Sequence, residues 1–158
     1  MTARRAARPP LRARERAARY TLATAGPVVV DASMAFLWFA NEPDHAGAGR
    51  LLEAESALLA PDLMAAEVAN AWWKKLRRRE MQVADVEEAV TNLLAIGIVW
   101  TPSVVLLRSA ARLAAELGQP IYDCLYLALA ASHSAALATA DDRLRQGATR
   151  LGIRIWSD

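Results

Sequence analysis

Val28-Val29-Val30-Asp31-Ala32-Ser33 decides the fold: three β-branched residues run into a single carboxylate, and helical spacing follows. An unbroken apolar run of this kind is typical of a strand that is buried on both faces of a parallel sheet. Ligands of open parallel sheets bind beyond the carboxyl ends of the strands. We therefore predict that Asp31 lies on the rim of a cleft.

Short apolar runs alternate with helical stretches along the rest of the chain. The pattern predicts strands near 27–31, 57–60, 98–100, 136–139 and 153–155. It predicts helices near 33–39, 44–55, 61–79, 83–96, 103–118, 121–134 and 141–146, with Asp62 capping the third of these. Such alternation favours an α/β fold of three layers, α/β/α, with a central, mostly parallel sheet of about five strands.

The first residues of the chain differ in charge from the rest. Residues 1–20 hold seven Arg and one Glu, or +6, and the other 12 basic and 16 acidic residues give −4, which leaves the net charge of +2. We predict a basic, disordered arm over 1–25 and one domain over 26–158. Whether the arm contacts nucleic acid, or belongs to the native product at all, stays open.

The chain shows neither a secretory leader pattern nor an uninterrupted apolar run of membrane-spanning length. A cytoplasmic protein without a membrane partner is therefore expected. The single cysteine, Cys124, excludes an internal disulfide and a cysteine-based metal cluster, and it is interpreted as a small buried residue.

Three further acids occupy positions like that of Asp31. Glu67 lies in the long helix after the second strand, Asp123 lies in the first turn of the helix after Pro120, and Asp141 follows the strand at 136–139. Each alone fits an ordinary surface or helix-capping acid, but together they fall at one end of the predicted sheet. Clustered carboxylates repel one another unless they bind protons or a cation. An all-oxygen site suits Mg²⁺ or Mn²⁺, which assist phosphodiester hydrolysis.

Four segments, in this order, resemble the motifs of PIN-domain ribonucleases, especially the VapC toxins of VapBC toxin–antitoxin modules. They are Val-Val-Val-Asp-Ala-Ser at 28–33, Ala-Pro-Asp-Leu-x-x-x-Glu-Val-Ala-Asn at 60–70, Tyr-Asp-Cys-x-Tyr-Leu-Ala-Leu-Ala at 122–130 and Leu-Ala-Thr-Ala-Asp-Asp-Arg-Leu at 137–144. Each motif alone is weak, whereas four with compatible spacing are specific. The resemblance covers about 27–156 and leaves the arm unmatched.

The resemblance implies roles for individual residues. It places four catalytic acids around Mg²⁺ or Mn²⁺, with Asp31 and Asp123 as direct ligands and with Glu67 and Asp141 acting partly through water. Three polar residues would surround them: Ser33 and Thr139 as supporting hydroxyls and Asn70 as a nearby contact. Asp142 competes with Asp141 for the fourth position; the motif favours Asp141, and Asp142 is interpreted as the cap of the short helix.

The resemblance also implies a function and partners. The chain would be a Mg²⁺-dependent endoribonuclease, the toxin of a type II toxin–antitoxin system, cutting tRNA, rRNA or mRNA. A cognate VapB-like antitoxin would occupy the active-site groove, and a homodimer is expected. Two alternatives remain at this point: an RNA-binding PIN-like module without catalysis, and a Mg²⁺-dependent phosphotransferase with Asp31 as nucleophile. The second lacks the Asp-x-Asp-x-Thr loop that such enzymes use.

A basic stripe runs along the long helix away from Glu67. Lys74 and Arg78 fall in the same angular band as Glu67, and Arg78 is about 16 Å from it along the axis. The stripe predicts contacts with an RNA backbone, although a solvated helix end explains it equally well. On the predicted helix at 121–134, Tyr122 and Tyr126 share a face and are interpreted as core residues.

Overall fold

The computed structural model describes residues 26–39 and 45–157, so the predicted disordered arm at 1–25 and residues 41–43, which were predicted to interrupt the helical pattern, lie outside the described residues. The four strands are β1 (Val28–Val30), β2 (Leu58–Pro61), β3 (Val99–Thr101) and β4 (Ala136–Ala138). The seven helices of this described part are α1 (Ala32–Leu37), α2 (His45–Glu53), α3 (Leu63–Arg77), α4 (Val83–Ala95), α5 (Ser103–Leu117), α6 (Ile121–Ser132) and α7 (Asp142–Arg150). No helix among the described residues is long and apolar enough to span a bilayer.

The four strands form one parallel sheet in the order β3-β2-β1-β4. The parallel α/β prediction is therefore confirmed. The predicted fifth strand at 153–155 shortens to a single parallel bridge between Leu137 and Ile155. Only two backbone hydrogen bonds hold it, one on each side of Ile155: Leu137 N to Arg154 O at 2.9 Å, and Trp156 N to Leu137 O at 2.8 Å.

Both faces of the sheet are covered by helices. Successive side chains of a strand point to opposite faces, yet every residue of β1, β2 and β4 is buried. Helix α6 contacts β1, β2 and β4, and α5 packs against α6. Since α6 is enclosed in this way, its residues Cys124–Ala130 are all buried, which confirms the interpretation of Cys124.

The long helix α3 places its two adjacent tryptophans in different surroundings. Trp72 is buried and meets Phe39 edge to face, with ring centroids 5.3 Å apart. Trp73 is 46% exposed, and the Arg77 guanidinium lies over its ring. Residues one position apart on a helix face directions about 100° apart, so only one of them reaches the core.

Helix α3 begins without the predicted cap. Asp62 has helical backbone angles and makes no side-chain capping bond within α3. Its Oδ1 instead accepts hydrogen bonds from Ser103 N at 2.8 Å and Ser103 Oγ at 2.5 Å, while Ser103 Oγ accepts from Leu63 N at 3.3 Å. Asp62 therefore joins the starts of α3 and α5, a long-range contact that the local pattern does not contain.

The strand order sets the position of the cleft. The chain runs from β1 outward through β2 to β3, and β4 then returns to the opposite side of β1. The carboxyl ends of β1 and β4 therefore flank the point where the strand order reverses, which is the usual place for a ligand in such a sheet. Asp31 follows the first of these strands and Thr139 follows the second.

Candidate functional site

Asp31 is the buried centre of the site. It follows β1, its backbone N–H bonds to Ala138 O at 3.0 Å, and its side chain lies at the start of α1. Only 7% of the residue is exposed, and it is the one carboxylate buried to this degree within the described residues. A buried carboxylate requires hydrogen-bond donors or a cation around it.

Two hydroxyl groups donate to one oxygen of Asp31. Oδ2 accepts from Ser33 Oγ at 2.5 Å and from Thr139 Oγ1 at 2.8 Å. Each hydroxyl in turn accepts a backbone N–H from the segment after β4: Ala140 N bonds to Ser33 Oγ and Asp141 N bonds to Thr139 Oγ1, both at 2.9 Å. The hydroxyls are thereby oriented to donate to Asp31, which fixes both the carboxylate and this segment.

The pKa of Asp31 reflects two opposed effects. Burial raises it above its ordinary value, because the charged form loses contact with water, and the hydrogen bonds from Ser33 and Thr139 lower it. Burial is the larger effect, so the net shift is upward. The ionised form would be further stabilised by a positive charge beside it.

Glu67 reaches the same region from α3. Its Oε2 accepts a short hydrogen bond from the hydroxyl of Tyr126, on α6. Burial raises the pKa of Glu67, and the charges of Asp31 and Asp123 raise it further, while the hydrogen bond from Tyr126 opposes the shift. Glu67 is therefore close enough to Asp31 and Asp123 for their charges to act on it.

Asp123 lies in the first turn of α6 and is partly buried. Burial and then the charge of Asp141 raise its pKa, and Asp31 adds to this effect. Arg143 lowers it by attraction, but the net shift is upward. The charges of Asp141 and Asp31 therefore both act on Asp123, which links these two acids in one electrostatic set.

Asp141, and not Asp142, caps the last helix. Asp141 has extended backbone angles, and its Oδ1 accepts the Leu144 N–H at 3.0 Å. The interpretation of Asp142 as the cap is therefore wrong. Asp142 is the first helical residue, 91% of its side chain is exposed, and it lies 3.9 Å from Arg145 Nε. An N-cap must be the last non-helical residue, and the helix begins one position later than the sequence indicated.

The four acids lie in one region, but their side chains do not converge on a single position. Within residues 26–39 and 45–157, no three His, Cys, Asp or Glu side chains are grouped closely enough to hold a metal ion by themselves. Mg²⁺ is usually bound by one or two carboxylates together with water and substrate phosphate. The four acids offer oxygen atoms alone, and an oxygen-only donor set fits Mg²⁺ or Mn²⁺.

The remaining predicted residues lie along α3. Asn70 is exposed, one turn beyond Glu67. Lys74 and Arg78 are exposed further along and line, with Arg77, a surface cleft of about 310 Å³. Arg78 Nε also pairs with Glu80 Oε1 at 3.1 Å. These groups lie outside the acid cluster and could meet only an extended ligand.

Sequence reasoning missed two side chains of the site. Tyr126 is a core residue as expected, but its hydroxyl also holds Glu67, whereas Tyr122 is 52% exposed and is not core. Arg145 Nη2 donates to Thr139 O at 3.0 Å. The spacing of Tyr126 three residues after Asp123 on a helix was the available signal, since residues at i and i+3 share a face.

A cleft of about 760 Å³ opens beside the acids. Glu67, Ser33, Thr139 and Arg145 line it with polar groups, and Phe36 and Trp156 are among its apolar lining residues. Its size and its mixed lining suit an organic ligand as well as an ion.

Residues 28–149 match the model of the PIN domain family. The chain belongs to the PIN-domain family. Within it, the chain is 32% identical over 117 residues to VapC ribonuclease Mb0985 of Mycobacterium bovis, covering 74% of this chain and 87% of the relative. Ribonuclease VapC3 of Pyrobaculum aerophilum is 33% identical over 122 residues, covering 75% and 92%. The resemblance to VapC ribonucleases is thus confirmed.

Solved structures agree with this family assignment. The crystal structure of PAE2754 from Pyrobaculum aerophilum superposes with a TM-score of 0.62 at 26% identity, covering 79% of this chain and 81% of that one. The Mycobacterium tuberculosis toxin VapC20, described as cleaving the sarcin–ricin loop, superposes with a TM-score of 0.60 at 14% identity, covering 75% and 93%. At that identity the second likeness demonstrates the shared PIN fold alone.

Proposed function

We propose that this VapC-family protein is a metal-dependent endoribonuclease, the toxin of a type II toxin–antitoxin pair, which hydrolyses RNA phosphodiester bonds. One observation carries the proposal: Asp31, Glu67 and Asp123 lie together and all have raised pKa values. Burial disfavours the ionised form of each acid, and neighbouring negative charge adds to this at Glu67 and Asp123; a divalent cation would offset both effects. The family membership supplies the reaction class.

Asp31 and Asp123 are proposed as direct ligands of Mg²⁺ or Mn²⁺, with Glu67 and Asp141 acting partly through water. When bound, the cation polarises the phosphodiester and stabilises charge on the leaving oxygen. Ser33 and Thr139 hold the Asp31 carboxylate in one orientation by donating to Oδ2. Orientation by such supporting hydrogen bonds is a general feature of metal sites.

RNA is proposed to approach along α3. Lys74 and Arg78 would hold its phosphates about 10 Å and about 16 Å from Glu67 along the helix axis, distances that a few nucleotides span. Asn70, exposed between the two groups, is a proposed polar contact on the same path. The basic residues at the C-terminal end of α3 would also offset the repulsion between RNA and an acidic cleft.

A cognate VapB-like antitoxin is the proposed protein partner, with the cleft beside Glu67 as its binding place. The cleft combines apolar walls with the carboxylate of Glu67, so a peptide with an apolar residue and an Arg directed at Glu67 would complement it. A homodimer and a cytoplasmic location, where tRNA, rRNA and mRNA are found, complete the proposal.

The decisive experiment replaces one acid at a time. Asp31→Asn and Asp123→Asn each should lower metal-dependent cleavage of RNA by about 100-fold or more, since loss of a supporting residue alone costs about 10- to 100-fold. Asp142→Asn is the matched control, because Asp142 is a neighbouring acid whose side chain is largely exposed to solvent. Full cleavage by Asp31→Asn, with an unchanged melting temperature, would refute the proposal.

A product assay separates this proposal from the phosphotransferase alternative. Hydrolysis should leave no phosphate on the protein, whereas a phosphotransferase that used Asp31 would form an acid-stable, hydroxylamine-sensitive phosphoaspartate. Binding of RNA that survives EDTA, with no cleavage of any RNA in Mg²⁺ or Mn²⁺, would instead indicate a module without catalysis.

A further inference from the structure

The phenol of Tyr126 lies where three acid-bearing segments meet. Its ring is buried on α6, three residues after Asp123, with 1% of the residue exposed. Its hydroxyl donates to Glu67 Oε2 on α3. The same phenol lies close to the backbone of Ala32, the residue after Asp31. One hydroxyl group therefore contacts α3 and lies close to α1 from a fixed position on α6.

Packing alone does not explain this hydroxyl. A phenylalanine ring would fill the same space, and a buried hydroxyl is costly unless it finds a partner. Here the partner is a carboxylate, which makes a stronger hydrogen bond than a neutral acceptor does. Burial and then the charge of Glu67 raise the pKa of Tyr126 far above its ordinary value, so the phenol keeps its proton and remains a donor.

Glu67 needs a partner of this kind more than the other acids do. A Glu side chain on a helix has several rotatable bonds, and fixing them costs conformational entropy. Asp31 is short, and hydroxyls and backbone groups hold it. Glu67 is held by the phenol at one oxygen, which sets the orientation of the carboxylate beside Asp31 and Asp123.

We propose that Tyr126 is a positioning residue for Glu67: its hydroxyl holds this carboxylate beside Asp31 and Asp123, so that a divalent cation meets an acid cluster already in place. The inference rests on the proposed metal-dependent function. Tyr126, the second tyrosine of the segment 122–126, thereby has a role beyond filling the core.

The test is Tyr126→Phe in the full chain, with Mn²⁺ binding measured by calorimetry in the absence of RNA. We expect a folded protein whose Mn²⁺ affinity is about 10-fold weaker, the lower end of the usual effect of a supporting residue. Cleavage should recover as Mn²⁺ is raised, and the KM for RNA should stay unchanged. Tyr122→Phe is the matched control, since it removes the same atom from an exposed residue of the same helix, and it should leave Mn²⁺ affinity unchanged.

A double-mutant cycle identifies the route of the effect. If Tyr126 acts through Glu67, adding Tyr126→Phe to Glu67→Gln should weaken Mn²⁺ binding by much less than it does in the wild-type background. Equal effects in both backgrounds would overturn the proposal. So would wild-type Mn²⁺ affinity in a folded Tyr126→Phe protein.

The outcome also separates this inference from the proposed function. If the wild-type protein binds no Mn²⁺, both the proposed function and the positioning role of Tyr126 are refuted. If the wild-type protein binds Mn²⁺ and Tyr126→Phe binds it equally well, only the positioning role is refuted. Should Tyr126→Phe not fold, proton NMR of the wild-type protein decides. The buried Tyr126 hydroxyl proton should exchange slowly and shift when Mg²⁺ is added, and an unchanged resonance in saturating Mg²⁺ would refute the role.

Discussion

Thr139 Oγ1 donates to Asp31 Oδ2 at 2.8 Å across 108 positions of sequence. The same hydroxyl accepts the Asp141 N–H at 2.9 Å, so it connects the end of β4 to the buried carboxylate after β1. Both strands are central to the site because they flank the point where the strand order reverses. The bond therefore holds the rim of the cleft together.

Thr139→Val should damage both stability and activity. Valine keeps the shape but leaves a buried carboxylate with one donor fewer and the Asp141 N–H without its acceptor, at a cost of about 1–3 kcal/mol in the free energy of unfolding. Cleavage of RNA should fall by about 10- to 100-fold, because Asp31 loses orientation. Urea denaturation and an RNA cleavage assay measure the two effects.

The matched control is Thr91→Val. Thr91 Oγ1 donates to Glu87 O on the exposed side of α4, so the same atom is removed far from the acids. We expect a change within about 0.5 kcal/mol and full cleavage. Equal changes in the free energy of unfolding and in RNA cleavage for Thr139→Val and Thr91→Val would contradict the role given to Thr139.

The metal-free protein should become less stable as the pH rises above the ordinary pKa values of its clustered acids. The pKa values of Asp31, Glu67 and Asp123 are raised above their ordinary values of 3.8, 4.5 and 3.8. The folded state therefore binds protons more tightly than the unfolded state does. Stability is highest while these acids are protonated in the folded state, and it falls as the pH rises from the unfolded pKa through the raised folded values.

Melting temperatures between about pH 4 and about pH 7.5, in EDTA, measure this slope of stability against pH. Asp31→Asn removes one of the three groups and should flatten it. Saturating Mg²⁺ should reverse it, because a cation favours the ionised acids and stabilises the folded state more as they ionise. A metal-free protein whose melting temperature rises steadily to neutral pH would contradict the raised pKa values.

The same substitution at two helical glycines should have opposite effects. A Cβ on Gly147 of α7 would lie 2.8 Å from Gln119 Oε1 and 2.9 Å from Leu127 Cδ1, so Gly147→Ala should destabilise the protein by about 1–3 kcal/mol. Gly49 of α2 has no atom within 4 Å of such a Cβ. Gly49→Ala should stabilise by about 0.5–1 kcal/mol, since Ala loses less entropy in a helix. Denaturant titrations compare the two; a stabilised Gly147→Ala would exclude close contact between α7 and α6.

Lys74→Ala and Arg78→Ala should weaken RNA binding without changing the acid cluster. Each lost phosphate contact should reduce the slope of log affinity against log salt by about 0.7 for a single strand. Arg78→Ala should have the smaller effect, because its guanidinium also pairs with Glu80. Binding is measured at several salt concentrations with inactive Asp31→Asn protein as the background.

The control for the stripe is Arg112→Ala, an exposed basic residue of α5 that lies on another helix. It should leave the salt dependence unchanged. If all three alanine variants bind RNA like the background protein, the basic end of α3 is a solvated helix end and not an RNA contact.

The sequence alone was sufficient for the sheet and for the chain positions of the acids. A run such as 28–30 is apolar because both faces of a parallel strand are covered, and that requirement is local and visible in the residues. The acids at the ends of strands or in the first turns of helices follow from the same pattern. The last predicted strand, at 153–155, became a bridge because its length depends on how far the chain end follows β4.

Contacts between elements were decided only by the tertiary structure. Tyr126 and Glu67 are 59 positions apart, and the packing of α6 beside α3 brings them together. The contact of Asp62 with Ser103 in place of an ordinary cap has the same origin. The pattern of apolar and polar residues indicates whether each side chain is buried, because exposure to solvent constrains each position separately. Which partner a buried hydroxyl or carboxylate meets depends on the relative placement of whole helices, and no local pattern contains that information.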